Sequence, residues 1–112
     1  MKKIQHLGLL LCITCFISFL FTGCQSDGMK KFTISYPNGT LWQEGYMEYD
    51  LYGNEKECGL WTFYYKNSRK LSTGEFRHGQ KHGTWTYWRP DGKAMYQVTY
   101  MNGVPVTISE SS

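Results

Sequence analysis

Proline is scarce in this chain, with 3 in 112 residues, and only one cysteine follows residue 24. The folded part therefore has few rigid corners and no two cysteines of its own to staple together. No Ser/His/Asp set, glycine-rich phosphate loop or Cys-x-x-Cys stands beyond residue 24, so hydrolase, nucleotide-handling and thiol-redox chemistry find no footing. Charge of one sign is also lacking. The formal net charge of +3 falls to +1, with 10 basic and 9 acidic residues, once Lys2 and Lys3 are set aside, and that excludes an electrostatic case for nucleic acid. At this length there is room for one small domain. What the chain does have is aromatic residues, 17% with 4 Trp and 9 Tyr, and 12 Gly, a composition that favours strands over helices.

The one apolar run is Leu7 to Phe21, broken by Gly8, Thr14 and Ser18 and preceded by the basic Met1-Lys2-Lys3. It falls short of the roughly 20 residues of a spanning helix and matches a secretory h-region of about 7–15. It ends in Leu20-Phe21-Thr22-Gly23-Cys24, which resembles the lipobox of bacterial lipoproteins, with Phe21 replacing the usual aliphatic residue. The resemblance implies cleavage after Gly23 and lipidation of Cys24. Two or more acyl chains hold a protein stably at a bilayer. With Gln25 rather than Asp after the cysteine, the enteric rule favours the outer membrane over the inner one. Cys12 and Cys15 would leave with the signal, so Cys58 is expected as a lone thiol in an acidic loop.

Gly59-Leu60-Trp61-Thr62-Phe63-Tyr64-Tyr65-Lys66-Asn67-Ser68 returns 24 residues later as Gly83-Thr84-Trp85-Thr86-Tyr87-Trp88-Arg89-Pro90-Asp91-Gly92. An earlier copy runs through Phe32-Thr33-Ile34-Ser35-Tyr36-Pro37-Asn38-Gly39. Each copy reads as an alternating strand, a turn pair (Asn38-Gly39, Asn67-Ser68, Asp91-Gly92) and a second strand, Leu41 to Glu48, Lys70 to Arg77 and Lys93 to Met101. Gly45 aligns with Gly74, whereas the third copy carries Val98 there, so that glycine reads as useful rather than essential. Tyr49 to Gly59 is a loop enlarged by five residues. Alternation sets Phe32, Trp61 and Trp85 in one row and Ile34, Phe63 and Tyr87 in another, with Thr33, Thr62 and Thr86 behind them. Phe76, Tyr96 and Tyr100, with Tyr64 and Trp88, are assigned to the reverse face.

The run from Gly74 through Gly79 and Gly83 to Trp85 and Trp88, with the preceding Asn67, is similar to the bacterial variant of the MORN repeat, over about residues 32–104. The resemblance implies an all-β, single-layer antiparallel meander of about three repeated β-hairpins following an N-terminal signal helix. It also implies scaffolding, protein contact or membrane apposition, and some bacterial members carry an antitoxin label. The expected division is 1–23 signal peptide, 24–31 lipidated Cys24 and spacer, 32–108 repeats and 109–112 tail.

Two short patterns invite chemistry. His78 and His82 near Glu75 have the spacing of a helical metal pair, but they sit on a strand end, where that geometry fails. Glu44 and Glu48 share a strand face without a pocket. No metal, cofactor or catalytic group is expected. Charge is segregated instead: five acids against Lys56 between Glu44 and Glu57, and seven bases against Glu75 and Asp91 between Lys66 and Lys93. Arg69, Lys70, Arg77, Lys81 and Trp88 are the expected contact residues for an acidic protein, anionic polysaccharide or lipid headgroup. Val104 to Ile108 begins a fourth copy, and its open edge invites self-association. The reading is an envelope lipoprotein, held at the membrane through Cys24, that acts as a protein-interaction or scaffolding module. The alternatives are an antitoxin or immunity-type protein that binds a toxin, and a non-catalytic subunit of an envelope enzyme.

Overall fold

A computed structural model describes residues 28–111; the expected signal helix, Cys24 and Ser112 lie outside them. Seven strands follow in chain order: β1 (Lys30–Ser35), β2 (Leu41–Tyr49), β3 (Glu55–Tyr64), β4 (Lys70–Arg77), β5 (Gln80–Trp88), β6 (Ala94–Met101) and β7 (Val104–Glu110). They form one open antiparallel sheet in the order β1-β2-β3-β4-β5-β6-β7. The all-β meander is therefore observed, as three hairpins and the first strand of a fourth.

The turns fall at the two ends of the sheet. At one end, the three hairpin turns each close with a donor at the fourth residue (Gly39, Ser68 and Gly92 N–H to the carbonyls of Tyr36, Tyr65 and Arg89) and hold that residue at φ of +90°, +71° and +93°. This is the type I turn with a glycine bulge, which resolves the turn type the sequence leaves open. The side chains of Asn38, Asn67 and Asp91 each accept the N–H two residues on, at 3.0, 3.0 and 2.9 Å. At the other end, His78-Gly79 and Asn102-Gly103 have positive φ at both positions, the two-residue type I′ hairpin. Residues 79–83 are consequently no loop, because β5 begins at Gln80. The enlarged segment after Tyr49 is also not a loop. It lengthens the β2–β3 hairpin, with pairs continuing out to Tyr49↔Glu55.

Register fixes two rows across all seven strands. One runs Ile34, Gln43, Phe63, Ser72, Tyr87, Tyr96 and Glu110; the other runs Thr33, Glu44, Thr62, Thr73, Thr86, Gln97 and Ser109. Adjacent residues point to opposite faces, so the first row lies on the aromatic face and the second behind it. Phe76 and Tyr100 also join the aromatic face, as their ring contacts with Trp85 show, and Tyr96 stacks on Tyr87 at 5.0 Å. Their expected place on the reverse face is corrected. The shift has a cause: beside the turns the ladder slips by one residue, between Phe63 and Tyr64 and between Tyr87 and Trp88, so Leu71 and Met95 are extra residues that reverse the alternation counted across each hairpin.

Candidate functional site

The tryptophans are seated by glycines. Glu44 pairs with Thr62 and Tyr46 with Cys58, so Gly59-Leu60-Trp61 bulges opposite Gly45; Gly83-Thr84-Trp85 does the same opposite Gly74. Gly59 and Gly83 supply the positive φ, +71° and +73°, that such a bulge requires. Each indole then lies flat on the partner glycine. A Cβ on Gly45 would stand 2.1 Å from the Trp61 ring, and one on Gly74 would stand 2.2 Å from Trp85. Trp61 Nε1 donates to the Tyr46 carbonyl and Trp85 Nε1 to that of Glu75, both at 3.0 Å. Both tryptophans are fully buried. Val98 is tolerated at the third site because β7 brings no tryptophan; Val98 pairs with Ile108 instead. The glycine is thus required wherever a tryptophan follows on the next strand, which sharpens the reading of it as useful rather than essential.

Rings link the seats. Phe32 lies 5.9 Å from Trp61, Phe76 bridges Trp61 and Trp85 at 5.8 and 5.0 Å, and Tyr100 closes on Trp85 at 6.4 Å. Lys81 sits on this face, its ammonium 4.9, 5.6 and 5.2 Å from the centroids of Trp85, Tyr87 and Tyr100. It donates to the Tyr87 hydroxyl at 3.0 Å, and that hydroxyl lies 3.0 Å from that of Tyr100. Burial, with the bond to Tyr87, holds the Tyr100 hydroxyl above its usual pKa.

The five basic and aromatic residues expected to form one patch occupy two places. Arg69, Lys70 and Trp88 gather at the type I turn end, with Lys70 Nζ 6.0 Å from the Trp88 ring and Arg69 donating to the Asp91 carbonyl. That end is strapped across hairpins. Tyr36 and Tyr65 hydroxyls donate to the carbonyls of Tyr64 and Trp88 at 2.7 Å, and Asn67 Nδ2 donates to the Pro90 carbonyl at 3.0 Å. Arg77 ends β4 at the opposite end and Lys81 is engaged in its ring of aromatics.

The histidine and carboxylate pairs separate in the same way. His78 Nδ1 meets Glu48 at 2.9 Å across β3, and Glu44 accepts the Tyr64 hydroxyl at 2.7 Å. Burial and that bond push the Tyr64 hydroxyl up to about 12. Among the described residues, no three His, Cys, Asp or Glu are grouped to hold a metal ion. A depression behind Gly45, lined by Lys31, Tyr46 and Leu60 among others, has a volume of about 160 Å³, below the roughly 300 Å³ of small-molecule sites.

Cys58 departs from expectation: it lies on β3, fully buried and disulfide-bonded, and is not a loop thiol. The other cysteines, Cys12, Cys15 and Cys24, fall outside the described residues.

The feature that sequence reasoning passed over is the tip of the long hairpin. Leu51 is 101% and Tyr52 90% exposed, yet their turn is firmly built. The Asp50 carboxylate accepts the N–H groups of Tyr52 and Asn54 at 2.9 and 2.8 Å, which holds its pKa below the usual range. Asp at the first turn position and Gly53 at the fourth were the available signal. Comparisons with protein families, curated proteins and solved structures give no match.

Proposed function

We propose that this chain is a lipid-anchored envelope protein whose MORN-like hairpins serve as a protein-interaction and scaffolding module, with no catalytic role. Anchoring is supported by Leu20-Phe21-Thr22-Gly23-Cys24 after a short apolar run. The interaction reading is carried by one observation: Arg69, Lys70 and Trp88 are gathered on turns cross-strapped by Tyr65 and Asn67, a rigid basic and aromatic end suited to an acidic protein. Capture of partners from solubilised membranes tests it. Arg69→Ser/Lys70→Ser/Trp88→Ser is expected to lose a specific partner that the parent chain retains and releases with salt; undiminished capture by the triple variant refutes the reading.

Anchoring has its own test, because one sulfur can carry a thioether-linked lipid or a disulfide but not both. The mass of the processed N-terminal peptide is expected to include acyl chains on Cys24. A Cys24–Cys58 disulfide in the membrane-extracted protein refutes it. Self-association through β7 is the second reading, favoured by the exposure of Val104, Val106 and Ile108 along an edge strand. Sedimentation at several concentrations is expected to reveal dimers that Ile108→Lys abolishes.

A further inference from the structure

The hairpin tip Tyr49–Gly53 lies at the same end of the sheet as the start of β1, since Lys30 pairs with Met47. β2 then runs on through Glu48 and Tyr49 into the turn, which carries Leu51 and Tyr52 roughly 10 Å past Lys30 at 3.3 Å per residue. Lys30 is the sixth residue after Cys24, a reach of at most roughly 20 Å. A chain held at a bilayer from its N-terminal side therefore presents this tip to the lipid and turns the basic end away.

We infer that the β2–β3 tip is a membrane-contacting element that seats Leu51 and Tyr52 in the headgroup and acyl boundary of a bilayer. The inference rests on the anchoring reading above. Three observations favour lipid. The two side chains are wholly exposed and adjacent, an apolar residue beside an aromatic one with a polar handle, the pairing enriched at membrane interfaces. The turn is pre-formed by hydrogen bonds from Asn54 and Gly53 to Asp50, so insertion needs no ordering. The nearby carboxylates are engaged: Asp50 caps the turn, Glu55 accepts the Tyr49 hydroxyl at 3.0 Å, and Glu48 is tied to His78 of the β4–β5 turn. Glu57 faces Met47 and Lys56 faces Glu48, while Lys30 and Lys31 start β1. With acids outnumbering bases at the tip itself, the surface suits zwitterionic more than anionic headgroups.

The test places a photoreactive benzophenone amino acid at Tyr52, and separately at Asn67 at the far end, in the full chain expressed in a bacterial host. The expected result is adducts of lipid mass at position 52 and none above background at 67, with a several-fold loss when Leu51→Ser is added. Adducts to protein alone at 52, or no adduct from a protein that sediments with membranes, overturn the inference and leave anchoring intact. A chain recovered in the soluble fraction overturns both, and sedimentation is read before the adducts.

Discussion

Two rungs of this sheet share one backbone plan and differ in chemistry. Trp61 is framed by Phe32, Phe63 and Phe76, hydrocarbon throughout; 24 residues on, Trp85 meets Tyr100 besides Phe63 and Phe76, with Lys81 held over the rings of Trp85, Tyr87 and Tyr100. The substitutions are coordinated. A cation can replace solvent on the second rung only because the two phenols and the indole supply its partners. What the rungs keep in common is the seat: a glycine under the indole, a positive-φ glycine two residues before it and a carbonyl for its N–H. The repeat thus conserves clearance and lets the surrounding rings vary.

The largest effect is expected from the indoles. Trp85→Ala and Trp61→Ala should each cost about 4 kcal/mol in urea unfolding, and a markedly smaller cost at one rung would show that the two are not equivalent supports. Next is the seat. Gly74→Ala should cost about 3 kcal/mol, because its methyl would lie inside the Trp85 ring, whereas alanine at Val98 removes two methyls and should cost about 2 kcal/mol. Lys81→Met should cost about 1 kcal/mol, and less than that in a Tyr87→Phe/Tyr100→Phe background, where the hydroxyl partner is already gone. Ser68 holds the turn position that glycine fills in its two sister turns, at φ +71°, so Ser68→Gly should stabilise by about 1 kcal/mol.

The smallest expected effects are with pH. Tyr64 is raised from an ordinary value of 10.0 to about 12, first by burial and then by Glu44, so below pH 10 its contribution is fully present. The unfolded chain ionises first as pH rises, and the contribution is lost between pH 10 and about 12. Tyr64→Phe should remove that part of the alkaline decline. Asp91 is lowered by the Lys93 N–H and then by Arg89 and its neighbours, so its small exposed contribution is lost as pH falls through the carboxylate range.

The meander, the limits of the second strands β2, β4 and β6, and the turns at Asn38, Asn67 and Asp91 were legible because Asn-Gly, Asp-Gly and period-two alternation are local signals, whereas β3 and β5 begin earlier than the sequence indicates. Ile34, Phe63 and Tyr87 do share a row, as alternation indicates. Phe76, Tyr96 and Tyr100 were misplaced because a bulge just past each turn, at Leu71 in β4 and Met95 in β6, resets alternation, and neither residue type announces it. Val98 misled for a related reason: its tolerance depends on a tryptophan missing from β7, some ten residues downstream. The contact residues were chosen by charge, which is blind to direction, and so one list joined the Arg69 end to Lys81 on the aromatic face. Leu51 and Tyr52 were overlooked because an insertion reads as a loop until its ladder is traced.

The central claim is that each second-strand glycine exists to seat the tryptophan of the following copy. A double-mutant cycle between Gly74→Ala and Trp85→Leu, read by urea unfolding, measures this most directly. The account predicts that alanine at 74 costs about 3 kcal/mol beneath the indole and nothing once the indole is gone, a coupling of about 3 kcal/mol. Costs that add to within about 0.5 kcal/mol would contradict it.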